Sequence, residues 1–222
     1  MMTKNILMVV TTADEMKEGH KTGLWLSEFG EAYVEFKKQG YDVTIASPKG
    51  GKAPVDDRSL EGEVPQEILD TAKLLENTLK LEEVGNVSKF DGIFMPGGHG
   101  TMFDLPDNET LHVIIRELYE ADKVVASVCH GPAGLVGVTL SDGKPLVAGK
   151  TVTAFTDDEE RETTLDRFMP FLLETRLREL GANVVVKDNW ADHVEVDGNL
   201  VTGQNPQSTE SAAKEVVKLL TK

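Results

Sequence analysis

The chain has one cysteine, and its neighbours are the residues a nucleophile would use. Val124-Val125-Ala126-Ser127-Val128 is an apolar run rich in β-branched residues. Cys129-His130-Gly131-Pro132-Ala133-Gly134 continues it with a polar tip and then small residues. A strand that turns sharply into a helix holds its tip side chain at the carboxyl end of a parallel sheet, where open α/β sheets hold ligands. That is a nucleophile elbow, here with cysteine in place of serine. A lone cysteine is more often an inert core residue, but the His-Gly-Pro flank favours chemistry. A helix starting at His130 would favour the thiolate, which predicts a lowered Cys129 pKa. Gly131 is expected to leave room beside the thiol.

Three further stretches carry groups that could serve such a cysteine. Met95-Pro96-Gly97-Gly98-His99-Gly100 closes a neighbouring strand. Glycines there let backbone N–H groups reach a bound oxygen, so Gly97, Gly98 and His99 are candidate oxyanion or substrate-binding residues. Glu28 lies at the edge of a helical apolar stripe, where partial desolvation would raise its pKa toward that of a working acid or base. From helix geometry alone a snorkelling surface glutamate is the commoner outcome. Phe155-Thr156-Asp157-Asp158-Glu159-Glu160 offers acids that could orient His130, although a charge run is usually a solvated loop. His20, His112 and His193 have no partners at metal-ligand spacing, so no metal is expected. Trp190 and Asn205-Pro206 lie in late loops and could line a pocket, though such residues are more often structural.

These residues need a scaffold, and the pattern along the chain supplies one. Strands are predicted over 5–10, 41–46, 90–95 and 123–128, separated by helices over 23–39, 66–79 and 108–121. Trp25, Phe29, Ala32 and Phe36 form the buried face of the first helix. The connection over 47–63 is rich in Gly, Pro and Asp and is expected to be exposed. Later come strands over 151–155 and 183–186, a helix over 170–180, and a hairpin around Asp197-Gly198. A last helix covers 209–220. Alternating strands and helices imply βαβ crossovers and a mostly parallel sheet, read as one domain over 1–222.

Composition narrows the partners. The 222 residues are 40% hydrophobic and 27% charged, with a net charge of −15. Such a surface repels phosphate backbones and anionic membranes, so neither nucleic acid nor membrane is an expected partner. One cysteine allows no internal disulfide, which fits a reducing, cytoplasmic setting. The first apolar run is too short to span a bilayer and lacks the flanks of a signal peptide.

The elbow Ala126-Ser127-Val128-Cys129-His130-Gly131-Pro132 together with Pro96-Gly97-Gly98-His99-Gly100 resembles the ThiJ/PfpI superfamily, a relative of the class I glutamine amidotransferases. Thr22-Gly23-Leu24-Trp25-Leu26-Ser27-Glu28, the stretch 154–160 and Leu200-Val201-Thr202-Gly203-Gln204-Asn205-Pro206 point to one branch. It holds stress-inducible heat-shock chaperones that act as glutathione-independent glyoxalase III. The resemblance implies a flavodoxin-like, doubly wound sheet sandwiched by helices, and a homodimer. It implies a triad of Cys129, His130 and Glu160, with Glu159 one residue away from the same role. It assigns proton handling to Glu28 and the oxyanion donors to the backbone N–H groups of Gly98 and His130. The expected substrate is a small 2-oxoaldehyde such as methylglyoxal, converted to D-lactate through a Cys129 hemithioacetal without a cofactor. A holding chaperone for unfolded proteins and a cysteine hydrolase, deglycase or peptidase, are the rival expectations.

Overall fold

The runs of Val, Ile, Leu and Met that carry no alternation are the strands buried on both faces. In the computed structural model, which describes residues 3–222, β1 (Asn5–Val9) leads into α1 (Leu26–Lys38) and β2 (Asp42–Ser47). The short α2 (Gln66–Leu69) and β3 (Leu79–Lys80) precede β4 (Gly92–Met95). Next come α3 (Thr101–Asp104), α4 (Glu109–Glu120) and β5 (Val124–Val128). The rest comprises β6 (Thr151–Val152), α5 (Asp157–Thr163), α6 (Leu173–Glu179) and β7 (Asn183–Val184). It ends with the hairpin of β8 (Val194–Asp197) and β9 (Leu200–Gly203), then α7 (Thr209–Leu220).

Seven strands form one sheet in the order β3-β2-β1-β4-β5-β9-β8, parallel except for β8 against β9. This is the doubly wound, flavodoxin-like α/β architecture expected from the sequence. Alternate residues of each central strand enter opposite cores. Leu7, Val9, Ile93, Met95 and Val125 join the apolar face of α4. Ile6, Met8, Phe94, Ala126 and Val128 pack against α1 and α7. Phe29, Ala32 and Phe36 are fully buried, as the stripe predicts, while Trp25 is only half-buried.

Three local expectations need correction. The first helix starts at Leu26, because residues 23–25 run extended. The Leu24 N–H donates to Pro54 O at 2.8 Å and the Trp25 N–H to Gly97 O at 3.3 Å. The helix predicted over 66–79 breaks after one α-turn into a 3-10 segment, Asp70–Glu76. Thr78 instead pairs with Gly51, their N–H groups donating to each other's carbonyls at 2.7 and 2.9 Å, which draws β3 onto the edge of β2. The connection over 47–63 is not wholly exposed, since Ala53, Asp56 and Ser59 are buried. Asp56 is held there by an ion pair with Arg58 and by the Thr22 hydroxyl at 3.0 Å.

Candidate active site

Cys129 sits where β5 ends, between β4 and β9, with a φ of 61°. Left-handed backbone at a non-glycine residue stores roughly 1–3 kcal/mol and persists where the surroundings over-determine it. Here both backbone groups are held: the Cys129 N–H donates to Gly203 O at 2.9 Å, and Cys129 O accepts from the Phe155 N–H at 2.9 Å. The elbow therefore exists as predicted. Gly131 does not make room for the thiol; a Cβ there would lie 2.0 Å from Met95 O, so the glycine lets the turn pass the end of β4. The elbow runs on into a five-residue 3-10 helix, Gly131–Leu135.

The two histidines and one glutamate form a continuous chain of contacts to the sulfur. Glu160 Oε1 lies 2.8 Å from His130 Nε2, and its Oε2 lies 2.7 Å from His99 Nε2. A carboxylate only accepts, so each Nε2 carries a proton and neutral His130 is left with an unprotonated Nδ1. That nitrogen faces Cys129 Sγ at 3.5 Å. All four residues are buried. Burial, then the neighbouring His99, push the His130 pKa down, which keeps the ring neutral. Burial alone would raise the Glu160 carboxyl, but the charge and hydrogen bond of His130, then those of His99, outweigh it and hold Glu160 well below the usual range.

Glu28 comes from the first turn of α1 and is completely buried. Its Oε1 accepts from the Gly97 N–H at 2.7 Å, and its side chain is within hydrogen-bonding reach of Cys129. Burial raises its pKa to about 8, against the lowering effect of the Gly97 N–H and the nearby thiol. The lowered Cys129 pKa expected from the elbow is overturned. Burial, then the charges of Glu28, Glu159 and Glu160, push the thiol well above its ordinary value. A five-residue 3-10 helix has too short a dipole to oppose them.

Gly97 and Gly98 bring the end of β4 against the elbow. Gly98 has a φ of 103°, and a Cβ there would lie 2.2 Å from Gly23 O, so only glycine fits. Thr101, fully buried, braces both loops: its hydroxyl lies 2.9 Å from Gly98 O and 3.0 Å from His130 O. Glu28, Gly98, His99, Cys129 and His130 all line one cavity of about 60 Å³, closed on other sides by Trp25, Phe155 and Trp190. Such a space suits a molecule of a few heavy atoms, since about 10–15 Å³ of it accommodates one water. His99, His130 and Glu160 have ligand atoms within 4.8 Å of one another, a spacing that a metal ion could use. In this arrangement both Nε2–H groups already point at the carboxylate.

Residues 20–219 match the model of the DJ-1/PfpI family. The chain belongs to that family. Among relatives, it is 33% identical to the glutathione-independent glyoxalase HSP31 of Saccharomyces cerevisiae, over 96% of each chain. Glyoxalase III of Candida albicans superposes with a TM-score of 0.86 at 29% identity, over 97% of each chain. The 24 kDa Rapid Encystment Protein of Francisella tularensis gives a TM-score of 0.94 at 35% identity, over 98% of this chain and 99% of that one.

In this DJ-1/PfpI chain the structure brings together Cys129, His130, Glu28, Glu160, Gly97, Gly98 and His99, and sets Trp190 and Pro206 in the cavity wall. Glu160, not Glu159, contacts His130. Glu159 instead closes a capping box at the start of α5: its Oε1 accepts from the Thr156 N–H at 3.0 Å, and the Thr156 hydroxyl accepts from the Glu159 N–H at 3.0 Å. The supposed acidic loop is thus a helix, and the Thr-x-x-Glu spacing was its signal. Sequence reasoning missed Thr101, which had no signal, and the bond from His99 to Glu160.

Proposed function

We propose that the protein is a glutathione-independent glyoxalase that converts methylglyoxal or a similar small 2-oxoaldehyde to the 2-hydroxy acid. The observation that carries this reading is a completely buried carboxyl, Glu28, beside a buried cysteine in a cavity of about 60 Å³. A peptidase needs an open cleft and has no use for a second, protonated acid against the nucleophile. The names of the relatives from Saccharomyces cerevisiae and Candida albicans support the same activity.

His130 Nδ1 takes the thiol proton as the sulfur adds to the aldehyde carbon C1. The new C1 oxygen is met by the backbone N–H groups of Gly98 and His130 and takes a proton from the imidazolium, giving a neutral hemithioacetal. Glu28 in its ionised form removes the C1 hydrogen as a proton, while neutral His130 passes the proton of the C1 hydroxyl to the C2 oxygen, giving an enediolate. Glu28 then returns its proton to C2, leaving a thioester with a C2 hydroxyl. C1 is oxidised and C2 reduced within one molecule, so no external oxidant or cofactor enters. Water cleaves the thioester to lactate and restores the thiol. A carboxyl titrating near 8 is present in both forms close to neutrality, as a group that takes and returns a proton requires.

The test is lactate production from methylglyoxal by pure protein without glutathione. Cys129→Ala should make none. Glu28→Gln should lose it by ~10²-fold or more, the effect of a lost acid-base group, while mass spectrometry still finds a reversible aldehyde adduct on the Cys129 peptide. Near-normal lactate from Glu28→Gln would remove Glu28 from the reaction and leave His130 as the base.

A further inference from the structure

One wall of the cavity is made by residues that the proposed reaction does not use. Phe155 lies against His130 with ring centroids 4.3 Å apart, and Trp190 lies against Phe155 at 5.6 Å. Trp190 belongs to the irregular segment between β7 and β8 and has a φ of 67°. A bulky residue adopts left-handed backbone only where its neighbours compel it.

Those neighbours are completely buried and polar. Glu159 Oε2 accepts from the Trp190 N–H at 2.8 Å and from Asn205 Nδ2 at 3.0 Å. The same Asn205 amide donates to Ala191 O at 2.7 Å, so Trp190 is tied on both sides. Gln204 holds the start of the segment: its Oε1 accepts from the Lys187 N–H at 2.8 Å and its Nε2 donates to Lys187 O at 3.2 Å. The other oxygen of Glu159 caps α5, the helix that carries Glu160. One carboxylate therefore registers both the triad helix and the position of the indole over the cavity.

We propose that Trp190 sets the size of substrate that reaches Cys129, and that Glu159 and Asn205 are positioning residues that act through it. The gate admits a small 2-oxoaldehyde and excludes one with an aryl substituent. The substrate class rests on the glyoxalase reading above; the size limit rests on the cavity and its roof alone. Glutamine at 159 has one acceptor oxygen where the fold presents three N–H donors, so Glu159→Gln turns an amide N–H against a donor and frees the loop. Asn205→Ser removes the donor that ties Ala191.

The experiment reads Cys129 itself. Because it is the chain's one cysteine, whole-protein mass spectrometry tracks its alkylation without turnover. Rates are measured with iodoacetamide and with the bulkier N-phenylmaleimide, and their ratio reports the gate. Trp190→Ala, Glu159→Gln and Asn205→Ser should each shift the ratio toward the bulky reagent by roughly tenfold or more, the discrimination that modest size differences provide. The Trp190→Ala/Glu159→Gln double variant should match Trp190→Ala alone. The ratio of phenylglyoxal to methylglyoxal turnover should move with it, through KM more than kcat. An unchanged alkylation ratio in Trp190→Ala overturns the gate. A further shift when Glu159→Gln is added to Trp190→Ala overturns its action through Trp190, and Asn205→Ser added to Trp190→Ala decides the same point if Glu159→Gln does not fold. If the alkylation ratio shifts as stated but neither aldehyde yields a hydroxy acid, the glyoxalase reading falls and the gate stands.

Discussion

Glu28 holds a proton that the unfolded chain would have released, and this has a thermodynamic sign. Its folded pKa of about 8 lies above the ordinary value of 4.5. Between those two values the native state binds one more proton than the unfolded state, so stability falls as pH rises through this window. At about 1.4 kcal/mol per unit over this window, the loss by pH 8 is roughly 4–5 kcal/mol. Glu28→Gln keeps the acceptor for the Gly97 N–H and has no proton to lose. It should match the parent in urea unfolding near pH 4.5 and exceed it by that amount at pH 8. Equal stability of the two proteins at pH 8 would mean that Glu28 is not buried as described. Glu31, raised to about 7 by burial and by Glu210, adds a trend of the same sign that is common to both proteins. Cys129 responds to the same carboxyl. Its alkylation should rise only above the free-thiol pKa of about 8.5, and Glu28→Gln should lower that apparent value by removing the charge beside it. The variant should thus carry a more reactive thiol and make less lactate. An apparent pKa well below 8.5 in the parent would restore the thiolate reading.

At the scale of elements, the site depends on α5, a helix of seven residues whose first turn is four acids. Acids favour a helix N-terminus, and the capping box fixes where this one begins. Thr156→Ala removes the cap and should cost about 1 kcal/mol, a fall in Tm of about 2–4 °C for a chain of this size. It leaves Glu160 chemically intact, so lactate turnover should fall much less than in Cys129→Ala. A loss as large as that of the nucleophile would show that helix register, and not the carboxylate alone, governs the triad. The same helix marks where sequence reading reached its limit. α4 and α7 were legible because their apolar residues recur at the helical period, and β1, β4 and β5 because short unbroken apolar runs read as strands buried on both faces. The elbow was legible because strand, polar tip and small residues adjoin in sequence. Glu28 was not legible from its helix alone, since the amide that desolvates and binds it belongs to Gly97, 69 residues on. The pairing of His99 with Glu160 spans 61 residues and left no local pattern. The thiol pKa was misread because a short turn was credited with the field of a long helix, while the burial of the sulfur and the charges of Glu159 and Glu160 were not counted against it.

Across the whole molecule, the net charge of −15 surrounds a nucleophile already flanked by carboxyls. Such a field lowers the local concentration of anions and is screened by salt, with a Debye length of about 30 Å at 0.01 M and about 10 Å at 0.1 M. Iodoacetate should therefore alkylate Cys129 more slowly than neutral iodoacetamide, and the gap should narrow as salt is raised from 0.01 to ~0.3 M. A gap that ignores salt would place its origin in the buried carboxyls alone. The neutral, hydrated aldehyde of the proposed reaction meets no such barrier. Among the described residues no helix is long and apolar enough to cross a membrane.

The central strand that bears Cys129 is flanked on one side by a strand made much later in synthesis. Val125 to Val128 pair with Leu200 to Gly203, and the elbow's own amide is received by Gly203. A ribosome must therefore translate most of the chain before the thiol has the walls that bury it. During that interval the growing polypeptide carries an ordinary exposed cysteine, at its normal acidity and open to whatever electrophile or oxidant the cell contains. Protection of the sulfur is completed as the last strand docks, so a chain cut before residue 200 would carry an exposed thiol as well as an incomplete site.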